Sequence, residues 1–445
     1  MRLPGSVLIA VSRYVLVLVL AVVLSVAPPH FTRAPAPNPP GCYREVGGIH
    51  VLCLYGEPYE IGLQQGSLLG DAVRQLVSDY LYQHIVCELG VPQSVLATYA
   101  RVVDAWVPLD LRLEMRGIAD GAGLSYQDVL LLNVIPDVLA LTRRLPVLEL
   151  SPSLLFAAAR QPGLQQGIAY RTQSDQGLSC ASYAVWGGCT SDGNLLLGHR
   201  LEGAWDRLLN RNLLITVRQP AHGSAFISAG LAGTVGVWAG MNEEQVTVAL
   251  SSSPSVDVAA QGQPLPFILR QVMAGAGDSS QALQLLLSAD RLCGGNVLLG
   301  DAKVPEATAV ELSAHRHAIF EATELAKALV RTNHFLDSGL AVAQEGVLAA
   351  AERVGSVTRF GRLRELLESN ASWIGTAKAL EILKDDPCAP LGANETADAS
   401  ELGPQVAQLL LFDPQERGVW VVQGQSEAWL TLTDLLTVGE CCAGP

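Results

Sequence analysis

Residues 179–201 read SCASYAVWGGCTSDGNLLLGHRL. The apolar run from Cys180, the turn residues Thr190-Ser191-Asp192-Gly193 and a second apolar run predict strand 180–187, turn, strand 194–201. Two cysteines fall in this hairpin, Cys180 and Cys189. Cys180 opens the first strand, directly after the polar stretch RTQSDQGLS. A thiol at a newly made chain terminus needs no separate histidine, because its own α-amino group can take the proton. For a cysteine taken alone, a buried strand position or half of a disulfide is the ordinary reading.

Working outward, strands are expected around 212–218, 224–229, 234–239 and 246–251, then at 296–300, 307–312 and 316–320, with a last pair near 406–412 and 418–423. Helices are expected at 265–275, 279–289, 340–353, 359–368 and 373–382. Before the hairpin, Pro58 opens one long amphipathic helix reaching the Ile85 region, and Ser125 with Asp128 forms a capping box ahead of another. The first part of the chain is therefore expected to be mainly helical. Strands grouped between groups of helices give an α+β layered domain rather than a βαβ repeat.

The chain has 445 residues, 49% hydrophobic and 16% charged, enough for a large core. With 29 basic against 43 acidic residues the net charge is -14, and no basic run exceeds Arg353–Arg364. Phosphate binding needs a concentrated positive footprint, so nucleic acid is excluded as a partner. Arg2 and Arg13 precede YVLVLVLAVVLSVA (14–27) and the Pro-rich APPHFTRAPAPNPPG (27–41). Residues 1–28 thus read as a signal peptide or signal anchor, with membrane association through 7–27, and 29–41 as a linker. The expected location is secreted, secretory or lysosomal, or periplasmic. Nine cysteines in an exported chain leave one unpaired or paired between molecules. Asn370 and Asn394 begin glycosylation sequons.

Signatures of serine hydrolases, zinc proteases and nucleotide enzymes are absent: there is no G-x-S-x-G, H-E-x-x-H or Walker sequence. His315 and His317, two apart in a strand, read as a solvated face rather than half of a metal site, and no metal or cofactor is expected. The pattern C-x-S-x-A-x-W-G, then Asp192-Gly193, then L-L-x-G and GHRLEG, resembles the isopenicillin N acyltransferase family of amino-terminal cysteine hydrolases. Acid ceramidase and acylethanolamine amidases are more distant. GEPYEIGLQQG (56–66), GIADGAGLS (117–125), AGTVGVWAGMNEEQVTVALSS (232–252), CGGNVLLGDA (293–302), RTNHFL (331–336) and FDPQERGVWVVQG (412–424) extend the likeness from about Gly41 to about Leu436.

The resemblance implies a four-layer αββα amino-terminal nucleophile hydrolase sandwich. It implies cleavage between Ser179 and Cys180, leaving a mainly helical α chain (42–179) and a β chain (180–445) that carries the catalytic core and stays associated. Cys180 would form a thioester with the acyl group of an N-acylated small molecule or lipid, and water or another amine would resolve it. Asn333, in the TNH motif, is the implied oxyanion donor. Cys189 imitates the nucleophile motif, but nine residues before Gly198 leave no room for strand, turn and strand, so it is structural or disulfide-bonded.

Three departures from the pattern stand out. His199 occupies the usual arginine position, Glu202 the usual aspartate and Ser179 the glycine often found before the scissile bond; with His199 and Glu202, Arg200 is a candidate catalytic residue that could reach the site from one residue along, although adjacent strand residues face opposite sides. Ser251 is a candidate second donor, and Trp238, with Trp186 and Val237, suits an acyl pocket or plain core. Arg359 and Arg362 match a basic pair in the family, yet read equally as an exposed helical face. A phospholipase-like lipid-ester hydrolase and a non-catalytic protein retaining the fold are the alternatives.

Overall fold

The computed structural model describes residues 41–144, 179–202, 207–322, 327–348, 350–385 and 406–437. Residues 1–40, on which the expected signal segment and nearly all of the expected linker fall, most of the stretch before Ser179 and Asn394 lie outside them. The chain begins with β1 (Cys42–Val46) and β2 (Ile49–Gly56), followed by α1 (Pro58–Leu68), α2 (Gly70–Gln75), α3 (Leu76–Glu88), α4 (Gln93–Asp104), α5 (Leu109–Ala122) and α6 (Tyr126–Arg144). Next come β3 (Ser179–Gly187), β4 (Gly193–Glu202), α7 (Arg207–Arg211), β5 (Leu213–Pro220), β6 (Phe226–Leu231), β7 (Ala239–Asn242) and β8 (Val246–Ser252). Helices α8 (Leu265–Gly275) and α9 (Ser279–Ser288) precede β9 (Gly295–Asp301), β10 (Glu306–Leu312), β11 (His317–Glu321) and β12 (Ala328–Arg331). The last elements are α10 (Ser338–Gln344), α11 (Ala350–Ser369), α12 (Thr376–Lys384), β13 (Val406–Asp413), β14 (Gly418–Gln423), β15 (Ser426–Thr431) and α13 (Leu432–Thr437).

Two sheets form the middle of the molecule. One has nine strands in the order β1-β2-β5-β6-β7-β8-β9-β10-β11, the other six in the order β12-β3-β4-β13-β14-β15. Among the described strands, β2 and β5 are the pair that runs parallel. Ala184, Trp186, Leu195 and Leu197 of the six-stranded sheet pack against Ile215, Val217, Ile227 and Ala229 of the other, which defines the gap between sheets. On the outer face of the nine-stranded sheet, Val246, Val248, Val297 and Leu299 meet α8 and α9. Ala181, Tyr183 and Val185 instead face Leu363 and Leu367 of α11 and Leu380 and Leu383 of α12. The result is helix, sheet, sheet, helix.

The first part of the chain is mainly helical as expected, α1 to α6, and the β1–β2 hairpin that precedes these helices extends the nine-stranded sheet. Gly47 and Gly48, at φ 58° and 82°, make the tight turn that only glycine takes without strain. The single long helix after Pro58 is corrected, since its first stretch divides at Leu69. The strand expected at 234–239 is mostly loop, and β7 begins only at Ala239. There Thr234 folds its hydroxyl back onto the Leu231 carbonyl at 2.8 Å and so bends the chain. The helices expected at 340–353 and 359–368 are instead α10 and one continuous α11. Of the expected capping box one half forms, the Asp128 N–H donating to Ser125 Oγ at 3.1 Å, while the Asp128 carboxylate accepts from the Ser125 hydroxyl at 2.7 Å.

Glycines join α1 to α5. A Cβ built on Gly62 would lie 1.9 Å from the Glu114 carbonyl oxygen, and one on Gly117 would lie 2.2 Å from that of Tyr59. The helices therefore touch backbone to backbone. Beside this seam, buried Glu114 accepts from Arg218 Nε at 2.9 Å and from Arg270 Nη2 at 3.3 Å, tying α5 to β5 and α8.

No described helix is long and apolar enough to cross a membrane. Cys53, Cys87, Cys180, Cys189 and Cys293 are free thiols, so the disulfide reading of Cys189 gives way to the structural one: it is buried against α11 and α12. Asn370 donates its amide to the Leu366 carbonyl at 2.8 Å. His315 Nδ1 pairs with Asp257 at 2.5 Å, and among the described residues no group of three His, Cys, Asp or Glu side chains is placed to hold a metal.

Candidate active site

Pairing places the hairpin residues on two faces. Cys180 lies opposite Leu201, Ala181 opposite Arg200, Ser182 opposite His199 and Ser179 opposite Glu202. Partners across an antiparallel pair share a face, and neighbours along a strand alternate. Cys180, Ser182 and His199 therefore share the face turned to the sheet gap, whereas Arg200 and Glu202 point toward α11 and α12.

Cys180 is buried, and its backbone N–H donates to Asn333 Oδ1 at 3.0 Å. The other end of that amide, Nδ2, donates to the Ser252 carbonyl at 2.8 Å. Burial pushes the Cys180 thiol up to about 12. A hydrogen bond from the Ser252 backbone N–H opposes the shift, the Glu202 carboxylate adds to it, and the Arg359 guanidinium opposes it. Within an uncut chain the sulfur is thus a neutral thiol.

Arg359 is the residue that sequence reading undervalued. It sits in α11, 6% exposed, and donates from Nη2 to Asn333 Oδ1 at 2.8 Å while its Nε lies 3.4 Å from Glu202. The exposed-face reading is therefore corrected. Its partner Arg362 is half-buried and binds Asp385 through two bonds of 2.9 Å. Arg200 pairs with Glu202 and donates to the Asp385 carbonyl at 2.7 Å. Together with Ala181, Leu363 and Leu383 these charged groups line a small pocket on the α11 side of the hairpin. The family pair Arg359-Arg362 was the available signal, but helical periodicity made it look solvated.

His199 and Ser251 meet elsewhere. His199 Nδ1 is 2.9 Å from Ser182 Oγ, which is 3.2 Å from Ser251 Oγ, all three buried in the sheet gap. Burial lowers the His199 pKa from 6.5 to about 4, so the ring is neutral at physiological pH. The unfolded chain then binds the proton between pH 6.5 and 4 while the folded chain does not, so stability is lost as the pH is lowered through that window. In His199→Gln the stability-pH slope there should flatten by one proton, about 1.4 kcal/mol per pH unit. Urea unfolding at several pH values checks this, and an unchanged slope would show that His199 already titrates freely in the fold.

Trp238 is half-buried against the cluster that also contains Cys180 and Leu201, whereas Trp186 lies in the sheet gap and Val237 packs under α8. Ser252, which offers its N–H to the sulfur, was passed over for Ser251 because a backbone donor leaves no trace in residue type.

The chain belongs to the acyl-coenzyme A:6-aminopenicillanic acid acyl-transferase family, whose family model matches residues 195–428, more than half of its length. An uncharacterized protein of Archaeoglobus fulgidus is 26% identical over 299 residues, 63% of this chain and 47% of that protein. Protein dcd1A of Dictyostelium discoideum is 23% identical over 307 residues, 61% of this chain and 60% of that one. The chain thus spans about half the length of the curated relatives it matches. Among solved structures, a conjugated bile acid hydrolase variant from Clostridium perfringens is 14% identical, covers 57% of this chain and 93% of its own, and has a TM-score of 0.42. A Caenorhabditis elegans ortholog of N-acylethanolamine-hydrolyzing acid amidase is 14% identical, with 53% and 93% covered and a TM-score of 0.39.

Proposed function

We propose that the chain is an exported, self-processing hydrolase or acyltransferase of N-acyl amides, with Cys180 as its nucleophile. The observation that carries this reading is the hydrogen bond from the Cys180 nitrogen to Asn333 Oδ1, an oxygen that Arg359 also holds, at the second residue of β3. Family membership supports the amide chemistry, and the basic-apolar-Pro sequence of residues 1–41 supports export with a cleaved or retained segment.

In processing, Cys180 Sγ attacks the Ser179 carbonyl, the peptide nitrogen leaves as the Cys180 amine, and water hydrolyses the resulting ester of sulfur. The products are a Ser179 carboxylate and a chain beginning at Cys180. In turnover the new α-amine takes the thiol proton, and sulfur adds to the acyl carbonyl. Two donors then face the oxyanion, Asn333 Nδ2 and the Ser252 N–H, released from their contacts in the uncut chain. The amine half departs with the proton, and water or a second amine takes the acyl group from sulfur. Arg359 holds Asn333 by its oxygen and so keeps the amide nitrogen turned toward the reacting carbon. The apolar cluster around Cys180, Leu201 and Trp238 receives the acyl part.

Acid quench during turnover of N-acyl amides should add the acyl mass to the fragment beginning Cys-Ala-Ser-Tyr. No adduct and no released acid across short and long acyl chains would sink the reading. Asn333→Ala should lower kcat by about 10²–10³-fold, the loss expected when one oxyanion donor is removed.

A further inference from the structure

Asn333 does not sit in a regular element, so something must hold it. It follows β12 at the point where the six-stranded sheet ends, and the neighbouring residues Thr332 and His334 are buried. Asn296, on β9 of the other sheet, is fully buried and stands across from Ser251. Its Nδ2 donates to the Thr332 carbonyl at 2.7 Å and to the His334 carbonyl at 2.9 Å, the two carbonyls that flank Asn333. Both contacts are acceptors, so only the amide nitrogen can make them. Among the described residues its Oδ1 has no hydrogen-bond partner, so the described bonding of this side chain is that grip. Ser356 of α11 takes the Asn333 N–H at 2.9 Å, and Gln344 of α10 donates to the Asn333 carbonyl at 3.1 Å. The segment is therefore held from both sides, and Asn296 is the hold from across the sheet gap.

We infer that Asn296 is a positioning residue, a bolt between the two sheets that fixes the Asn333 amide against Cys180. This rests on the role proposed above for Asn333, and it adds a residue that the Cys180–Asn333–Arg359 set does not contain. Two donors on one planar group match two carbonyls spaced around a single residue; a hydroxyl supplies only one. An error of about 1 Å at the amide is enough to cost on the order of 10²-fold in rate.

A matched pair of variants tests this. Asn242 makes the same kind of bond, fully buried, donating from Nδ2 to the Met273 carbonyl at 3.1 Å and the Ala276 carbonyl at 2.8 Å, but in the α8 layer. Asn296→Leu keeps the branched shape and removes both donors, and Asn242→Leu does so at the remote position, where it also removes the acceptor of the Val246 N–H. For Asn296→Leu, kcat should fall about 10²-fold with KM within about two-fold of the parent, and a crystal structure should show the Asn333 amide out of hydrogen-bond reach of the Cys180 nitrogen. Asn242→Leu should lower stability and leave kcat and that contact in place. An Asn333 amide still on the Cys180 nitrogen in Asn296→Leu, or an equal loss of kcat in Asn242→Leu, would overturn the inference. Should Asn296→Leu fail to fold, Asn296→Ser carries the same two readouts. The crystallographic readout needs no turnover, so a parent protein without amide activity would defeat the proposed function while the position of Asn333 still decides the role of Asn296.

Discussion

Cys180→Ala should accumulate as one uncut chain and lose amide turnover by on the order of 10⁶-fold, the loss typical when a covalent nucleophile is deleted. The parent should show two chains by intact mass, the second beginning Cys-Ala-Ser-Tyr. Alanine removes the sulfur and little else: Cys180 is 3% exposed at a strand start, and the Asn333 bond is made by its backbone nitrogen. The variant should therefore keep the parent fold and melt close to it. Cys180→Ser separates the two steps, since a hydroxyl can still shift the acyl group but forms a less reactive ester; slow or partial cleavage is the expected result. A parent that remains a single chain would remove the amine base on which the mechanism depends, and cleavage persisting in Cys180→Ala would assign the cut to an outside protease.

The second large effect concerns folding. Glu114→Ala should destabilise the chain by about 3–5 kcal/mol, because Arg218 and Arg270 would be left as buried cations with no carboxylate between them. That is a large part of the roughly 5–15 kcal/mol by which a domain is stable. Arg270 already feels its surroundings: burial lowers its pKa from 12.5 to about 10, and its guanidinium stacks over Phe226 at 4.4 Å. Glu114→Gln keeps one acceptor and should fall between parent and alanine. Urea midpoints measured in the Cys180→Ala background keep both species as single chains. A difference under about 1 kcal/mol would mean that the two arginines find other partners or water, and that the triad is not what joins α5 to the sheet.

The hairpin was legible because everything that specifies it is local: alternation along β3, a four-residue turn and alternation along β4 put both strands within a residue or two of their observed ends. The helical layers read less well. Gly47-Gly48 announced a hairpin and was passed over, since a helical pattern beginning at Pro58 dominated the reading of that region. Nothing local could announce that β2 would lie parallel to β5, more than 150 residues on. The site divided in the same way. Cys180 and Asn333 stood in short motifs, and their hydrogen bond across 153 positions of sequence is what the fold adds. Arg359 looked solvated because helix periodicity describes one helix, whereas its burial comes from Glu202 on a strand. Asn296 stood in CGGNVLLGDA (293–302), but no motif tells which carbonyls its amide meets across the sheet gap.

The backbone contact between α1 and α5 sets a limit on redesign. Where side chains meet, as between α11 and the hairpin, a larger residue on one side can be offset by a smaller one opposite. Where carbonyls already fill the space of a missing Cβ, no exchange of side chains restores the fit; only a parting of the helices does. Redesign of the helical layers therefore meets a soft face at α11 and α12 and a hard one at the α1–α5 seam. Libraries built on Leu363, Leu367, Leu380 and Leu383 should yield many folded members, whereas any library that varies Gly62 or Gly117 should return the parent residue almost alone.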